Sequence, residues 1–140
     1  MRYPPRGIRS IGSSRCSTLS PDYRTRADDD LLCIVQIEDM EGIGNAEAIT
    51  RIADVDIGFL GPTDLAASMG VAPGSDEHEA ALQSFREGCA RAGKPSGIPV
   101  ADGDTARRRI REGFQFIDLS SDMTLLQTGA AMELGIALNP

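Results

Sequence analysis

Histidine, lysine and cysteine are scarce in this chain of 140 residues. Each scarcity closes off a chemistry. There is one histidine, His78, which excludes a His-rich metal centre and narrows the acid–base options. The three cysteines, Cys16, Cys33 and Cys89, are an odd number without CxxC spacing. They read as reduced thiols of a cytoplasmic protein, not as disulfide staples or zinc ligands. No apolar run approaches the ~20 residues of a membrane span. The positive start MRYPPRGIRS has no apolar stretch behind it, so it does not read as a secretory signal. Basic residues are also short, 14 against 21 acidic ones, for a net charge of −7. That charge repels phosphate backbones and anionic lipid, so no nucleic-acid partner and no membrane partner is expected.

What is present is an ordinary globular balance, 41% hydrophobic and 25% charged. At this length it fits a single domain. Residues 1–30 read as a loop-rich lead-in of Pro, Gly, Ser and Arg, with a short helix over Pro21–Asp29. Residues 31–140 read as βα units. LLCIVQIE (31–38) is the near-continuous apolar run of a strand buried on both faces. Ile43, Ala46, Ile49, Ile52 and Ala53 recur at helical spacing, which predicts a helix over Asn45–Ala53. A short strand over Ile57–Leu60 closes at Gly61–Pro62, and a helical turn over Asp64–Met69 breaks at Gly70. His78, Leu82, Phe85, Cys89 and Ala92 are spaced four, three, four and three, the clearest amphipathic helix of the chain, ended by Gly93. A strand in SGIPVAD, a helix over Thr105–Glu112, a strand in FQFIDLSSD and a largely apolar helix over Met123–Leu138 complete the order. Four alternating βα units imply an α/β fold with a parallel sheet and right-handed crossovers. The first two strands start at residues 31 and 57. That spacing is near the ~31 residues per unit of a (β/α)8 barrel, so four units make half of one.

In such folds function sits at the C-terminal ends of the strands. Four tips are expected there: Gln36-Ile37-Glu38-Asp39, Gly61-Pro62-Thr63-Asp64, Ala101-Asp102 and Ser120-Ser121-Asp122. Each carries an acid. Adjacent parallel strands lie about 4.8 Å apart, so Glu38 and Asp64 on neighbouring tips come within reach of one cation. Mg²⁺ is commonly held by one or two carboxylates, with water and substrate oxygens completing the shell. The commoner use of an acid after a strand is to cap the next helix, and spacing alone favours that use. The GPTDL turn opens a helix whose first N–H groups, on Thr63 and Asp64, can hold a carboxylate, although a plain βα turn has the same sequence. His78, on an apolar stripe, reads first as a satisfied, half-buried histidine. The arginines of YPPRGIR could hold an anion but read first as a solvated loop. Cys33 is expected inside a strand core and Cys89 on a helix stripe, neither with a base beside it, so neither reads as a nucleophile.

Taken together, YPPRGIRSIG, IVQIED, DVDIGFLGPTDLAASMG and GFQFIDLSSD resemble the HpcH/HpaI family of class II aldolases. That group includes 4-hydroxy-2-oxoheptanedioate aldolase and 2-dehydro-3-deoxyglucarate aldolase. The resemblance implies a (β/α)8 barrel of the phosphoenolpyruvate/pyruvate superfamily. It implies cleavage of 4-hydroxy-2-oxo acids to pyruvate and an aldehyde with a divalent metal, Mg²⁺, Mn²⁺ or Co²⁺. By that resemblance Glu38 of VQIE and Asp64 of GPTDL are the metal ligands, Gln36 lies near the substrate carbonyl, and Thr63 and Asp64 offer N–H groups to the pyruvate carboxylate. No Schiff-base lysine is required, and Lys94 lies outside any strand core.

The resemblance also implies that this is the C-terminal half of a longer domain. The family's general base, a histidine, and its enolate-steadying arginine fall in the other half, so no catalytic residue is assigned here, and His78 does not match. Loss of a general base typically costs ~10²–10⁴-fold in rate. Two readings are therefore carried forward: a metal-dependent aldolase represented by half its barrel, and an impaired remnant or assembly subunit that binds metal and keto acid without efficient turnover. A malyl- or citramalyl-CoA lyase would need a CoA-binding surface that the sequence does not reveal. A homo-oligomer is expected, joined through the last helix, where Leu125, Leu126, Ala130, Leu134 and Ile136 exceed what one face needs.

Overall fold

A computed structural model of the chain describes Asp22, Arg26 and residues 31–138. The chain divides into two compact units, Met1–Leu31 and Leu32–Pro140. In the first, Asp22 and Arg26 are joined by a backbone hydrogen bond and an ion pair. The expected helix over Pro21–Asp29, Cys16 and the YPPRGIR arginines otherwise lie outside the described residues.

The second unit runs β1 (Ile34–Ile37), α1 (Met40–Gly44), α2 (Ala46–Thr50), β2 (Ile57–Leu60), α3 (Pro62–Met69), α4 (Asp76–Arg91), β3 (Ser96–Val100), α5 (Gly103–Glu112), β4 (Phe116–Leu119) and α6 (Asp122–Leu138). The four strands form one parallel sheet in sequence order. This is the expected α/β half-barrel arrangement, four βα units in succession. The single helix expected over Asn45–Ala53 is instead two short helices. Asp39 accepts from the Gly42 N–H at 2.6 Å and starts a helix five residues early. Asn45 then interrupts it, with φ −100° and ψ 4°.

The pleat sorts the strands into two faces. Gly58 and Leu60 of β2 turn toward the helices, where Leu60, Leu65, Leu82, Phe85, Cys89 and Ile98 form the core. Gln36 pairs with Phe59, and Pro99 with Asp118, on the opposite face, the interior of a closed barrel. There Phe59 and Phe116 meet edge to face, with centroids 6.0 Å apart. Gly97 lies between them, because a Cβ there would come within 2.7 Å of Phe59. Cys33 is exposed just ahead of β1, not in a strand core as the apolar run suggested. Helix α6 has no buried residue. No described helix is long and apolar enough to cross a membrane.

Candidate functional site

The strand tips hold five acids, and the backbone separates them by what they do. Asp39 caps α1, and Asp102 caps α5 by accepting from the Thr105 N–H at 2.8 Å. The Asp102 carboxyl is held below the usual range by that bond, by the Thr105 hydroxyl and by further backbone and arginine contributions. Asp122 accepts from the Met123 N–H at 2.7 Å, while Ser121 caps the start of α6. Glu38 and Asp64 do neither. The N-cap of α3 is Gly61, which has no side chain to offer, so the Thr63 and Asp64 N–H groups at the start of this eight-residue helix are left for solvent or ligand. No hydrogen bond or ion pair engages the Asp64 carboxylate among the described residues.

Glu38 follows β1 and lies across the end of β2. Its Oε2 accepts from Gln36 Nε2 at 2.6 Å. A Cβ on Gly61 would fall 2.8 Å from that same oxygen and 2.9 Å from Gln36 Nε2. Gly61 is therefore the floor on which the Gln36–Glu38 pair rests, and its own N–H donates to Ile37 O at 2.9 Å. Three residues on, Asp64 sits exposed in the first turn of α3. Gln36, Glu38, Thr63 and Asp64 thus share one end of the sheet, at β1 and β2. The glycine's part was not read from the sequence, where Gly61 figured only as a turn former. Its signal was the glycine directly after an apolar strand.

Beside this corner a cavity of about 320 Å³ is lined by Pro62, Thr63, Pro99, Ala101, Asp118 and Ser120, among others. Ser120 has φ 63°, the one positive value at a non-glycine among the described residues. A larger cleft of about 560 Å³ lies away from the strand tips, between α4 and α5. Its charged wall is already engaged: buried Arg109 donates to both Glu79 oxygens, at 2.6 and 2.7 Å, and to Glu112 at 2.8 Å. The smaller cavity adjoins Thr63, at the start of α3 that no side chain caps.

His78 is buried, not half-buried, and both ring nitrogens are used. Gly74 N–H donates to Nδ1 at 3.1 Å, and Nε2 lies 2.8 Å from Pro62 O. Nothing in the sequence pattern pointed to that second contact. Burial pushes the Cys89 thiol up to about 11, which keeps it protonated and unreactive at neutral pH. Lys94 donates to Val55 O, away from the strand tips.

Two carboxylates with hard oxygen donors, one steadied by an amide and neither used as a cap, suit a divalent cation. The described residues contain no cluster of three or more His, Cys, Asp or Glu side chains placed to hold a metal. A cation at Glu38 and Asp64 would complete its shell with water and substrate oxygens.

Residues 1–128 match the family model described as HpcH/HpaI aldolase/citrate lyase. A hydroxypyruvate/pyruvate aldolase of Pseudomonas aeruginosa is 38% identical over 133 residues, covering 90% of this chain and 49% of that protein. A 4-hydroxy-2-oxo-heptane-1,7-dioate aldolase of Salmonella paratyphi C is 38% identical over 147 aligned positions, covering 99% of this chain and 56% of its own length. Among solved structures, an HpcH/HpaI aldolase/citrate lyase family protein of Burkholderia cenocepacia superposes with TM-score 0.84 at 28% identity. It covers 99% of this chain and 57% of that one. The chain spans about half the length of the relatives it matches.

Proposed function

The chain belongs to the HpcH/HpaI aldolase/citrate lyase family, and from that membership we propose that it forms the metal- and pyruvate-binding half of a class II aldolase. The substrate class is 4-hydroxy-2-oxo acids, cleaved to pyruvate and an aldehyde. The observation that carries the reading is the division of labour among the acids. Among the five strand-tip acids, Asp39 and Asp102 cap helices and Asp122 accepts a backbone N–H, whereas Glu38 and Asp64 do neither, and they stand at the same corner of the sheet.

In this reading Glu38 and Asp64 hold a divalent cation, Mg²⁺, Mn²⁺ or Co²⁺. When bound, such an ion supplies Lewis-acid polarisation of a 2-oxo group. Gln36 uses one amide N–H to orient Glu38 and has a second to aim at the substrate carbonyl. The Thr63 and Asp64 N–H groups, at the positive end of α3, receive the substrate carboxylate. Together these groups fix the C3–C4 bond in one orientation for cleavage. The chain's one histidine, His78, is buried with both ring nitrogens engaged, so it is not offered as the proton-transfer group, which the family resemblance puts in the other half of the barrel. A soluble, self-associating protein with a small-molecule keto acid as its partner is the corresponding cellular form.

Pyruvate release from a 4-hydroxy-2-oxo acid in the presence of Mg²⁺ or Mn²⁺ tests the proposal. Turnover that disappears in Glu38→Ala and Asp64→Ala is expected. Metal and pyruvate binding without turnover would favour the remnant reading. Turnover unchanged in both variants would refute the assignment of these carboxylates.

A further inference from the structure

Helix α3 carries Thr63 and Asp64, yet it has no side-chain cap of its own. Something else must hold its first turn in place, because a metal ligand or an amide donor that wanders gives up much of its value. Two backbone bonds do part of this work, Gly61 N–H to Ile37 O and Leu65 N–H to Gly61 O, each 2.9 Å. They fix Gly61 and the turn's inner edge, but leave Pro62 with neither an N–H nor a strand partner.

The third support comes from sixteen residues away. His78, in the first turn of α4, is 3% exposed. Because Gly74 N–H donates to Nδ1, the ring proton sits on Nε2, which lies 2.8 Å from Pro62 O. The donor is held from behind as well. Gly74 has φ 81°, a left-handed conformation that turns its N–H onto the ring, and Ser75 caps α4 by accepting the His78 N–H at 3.3 Å. A buried imidazole thus ties α3, the 70–75 loop and α4 together at the residue directly before Thr63.

We propose that His78 is a positioning residue for the candidate site: its Nε2–H on Pro62 O fixes the first turn of α3, and with it the Asp64 carboxylate and the Thr63 and Asp64 N–H groups. That use in metal binding rests on the reading given under Proposed function. The positioning itself does not.

Two variants divide the ring's functions. His78→Gln keeps a donor at the reach of Nε2, and His78→Asn keeps an acceptor near Nδ1 but cannot reach Pro62. Amide hydrogen exchange of the 140-residue chain is followed residue by residue, and Mn²⁺ affinity is measured on the same samples. In His78→Asn, exchange at Leu65 and Ala66 accelerates at least about tenfold while Gly58–Leu60 stay protected, and Mn²⁺ binding weakens roughly 10–100-fold. His78→Gln restores both toward wild type. Unchanged exchange in the Asn variant, equal loss in the Gln variant, or loss of protection across the whole sheet would each overturn the positioning role. Wild-type protein that takes up no Mn²⁺ would instead remove the two-carboxylate reading, and the exchange data would still decide whether His78 fixes the turn.

Discussion

At the scale of the residue, acidity alone did not identify the site. Every strand tip carries a carboxylate, and spacing favoured capping for all of them. Capping is the use found for Asp39 and Asp102, whereas Glu38 escapes it because Asp39 already caps the helix after β1, and Asp64 because the helix after β2 begins at Gly61 and takes Asp64 into its first turn. Which acids were spare could not be read from composition, since it depends on backbone angles at the caps. Ion pairing shows the same dependence. Glu79 and Arg109 lie thirty residues apart and meet only because α4 packs near α5. Hydrogen bonds from Arg109 hold the Glu79 carboxyl below its ordinary range, against partial burial, with the Arg109 and Arg108 charges adding to the effect. A carboxyl depressed in the fold contributes stability above its unfolded pKa of about 4.3, and that stability is lost as pH falls through the lower folded value. Thermal unfolding should therefore begin to shift downward on acidification below about pH 4.3. Glu79→Gln should flatten that slope and cost about 1–3 kcal/mol at neutral pH, because it leaves buried Arg109 short of a partner. A Glu79→Gln variant with the wild-type pH profile would contradict this.

At the scale of the element, apolar periodicity placed the long pieces well. Helix α4 ends at Arg91 against an expected Ala92, and β2 occupies Ile57–Leu60 as read. Periodicity failed between β1 and β2, where Ile43, Ala46 and Ile49 suggested one helix. It cannot see that Asp39 starts a turn early, nor that Asn45 breaks it. Close packing was also invisible. Gly58 sits where a Cβ would fall 2.8 Å from both Cys89 Sγ and Thr50 Cγ2, so β2, α2 and α4 meet across a bare backbone. Both neighbours are fully buried and have little room to yield. Gly58→Ala should cost about 1–3 kcal/mol by overpacking, measured by urea unfolding. By contrast Gly44→Ala, with open space around it, should not destabilise the chain. Equal stability of the two variants would refute the packing argument.

At the scale of the whole molecule, the four units make an open parallel sheet whose edges are β1 and β4. Among the described residues, no further strand pairs with β1 or β4. Helix α6 buries none of its residues, and Leu125, Leu126, Leu134 and Ile136 are each more than half exposed. Apolar surface of that kind drives association. Sedimentation should give a mass above 14.9 kDa that rises with concentration, and Leu126→Glu with Leu134→Glu should lower it. A monomer at every concentration would contradict the expectation. The order of units, the parallel sheet and the corner shared by Gln36, Glu38, Thr63 and Asp64 were legible in the sequence, because each depends on local pattern and βα chirality. The support from His78 was not, because it depends on how the start of α4 lies against α3.

The central claim concerns one ion. Mn²⁺ titrated calorimetrically into the 140-residue chain should saturate a single site, and Glu38→Gln or Asp64→Asn should each abolish the heat while the unfolding temperature stays put. Silence from the wild-type protein, or the same heat from all three, would contradict it.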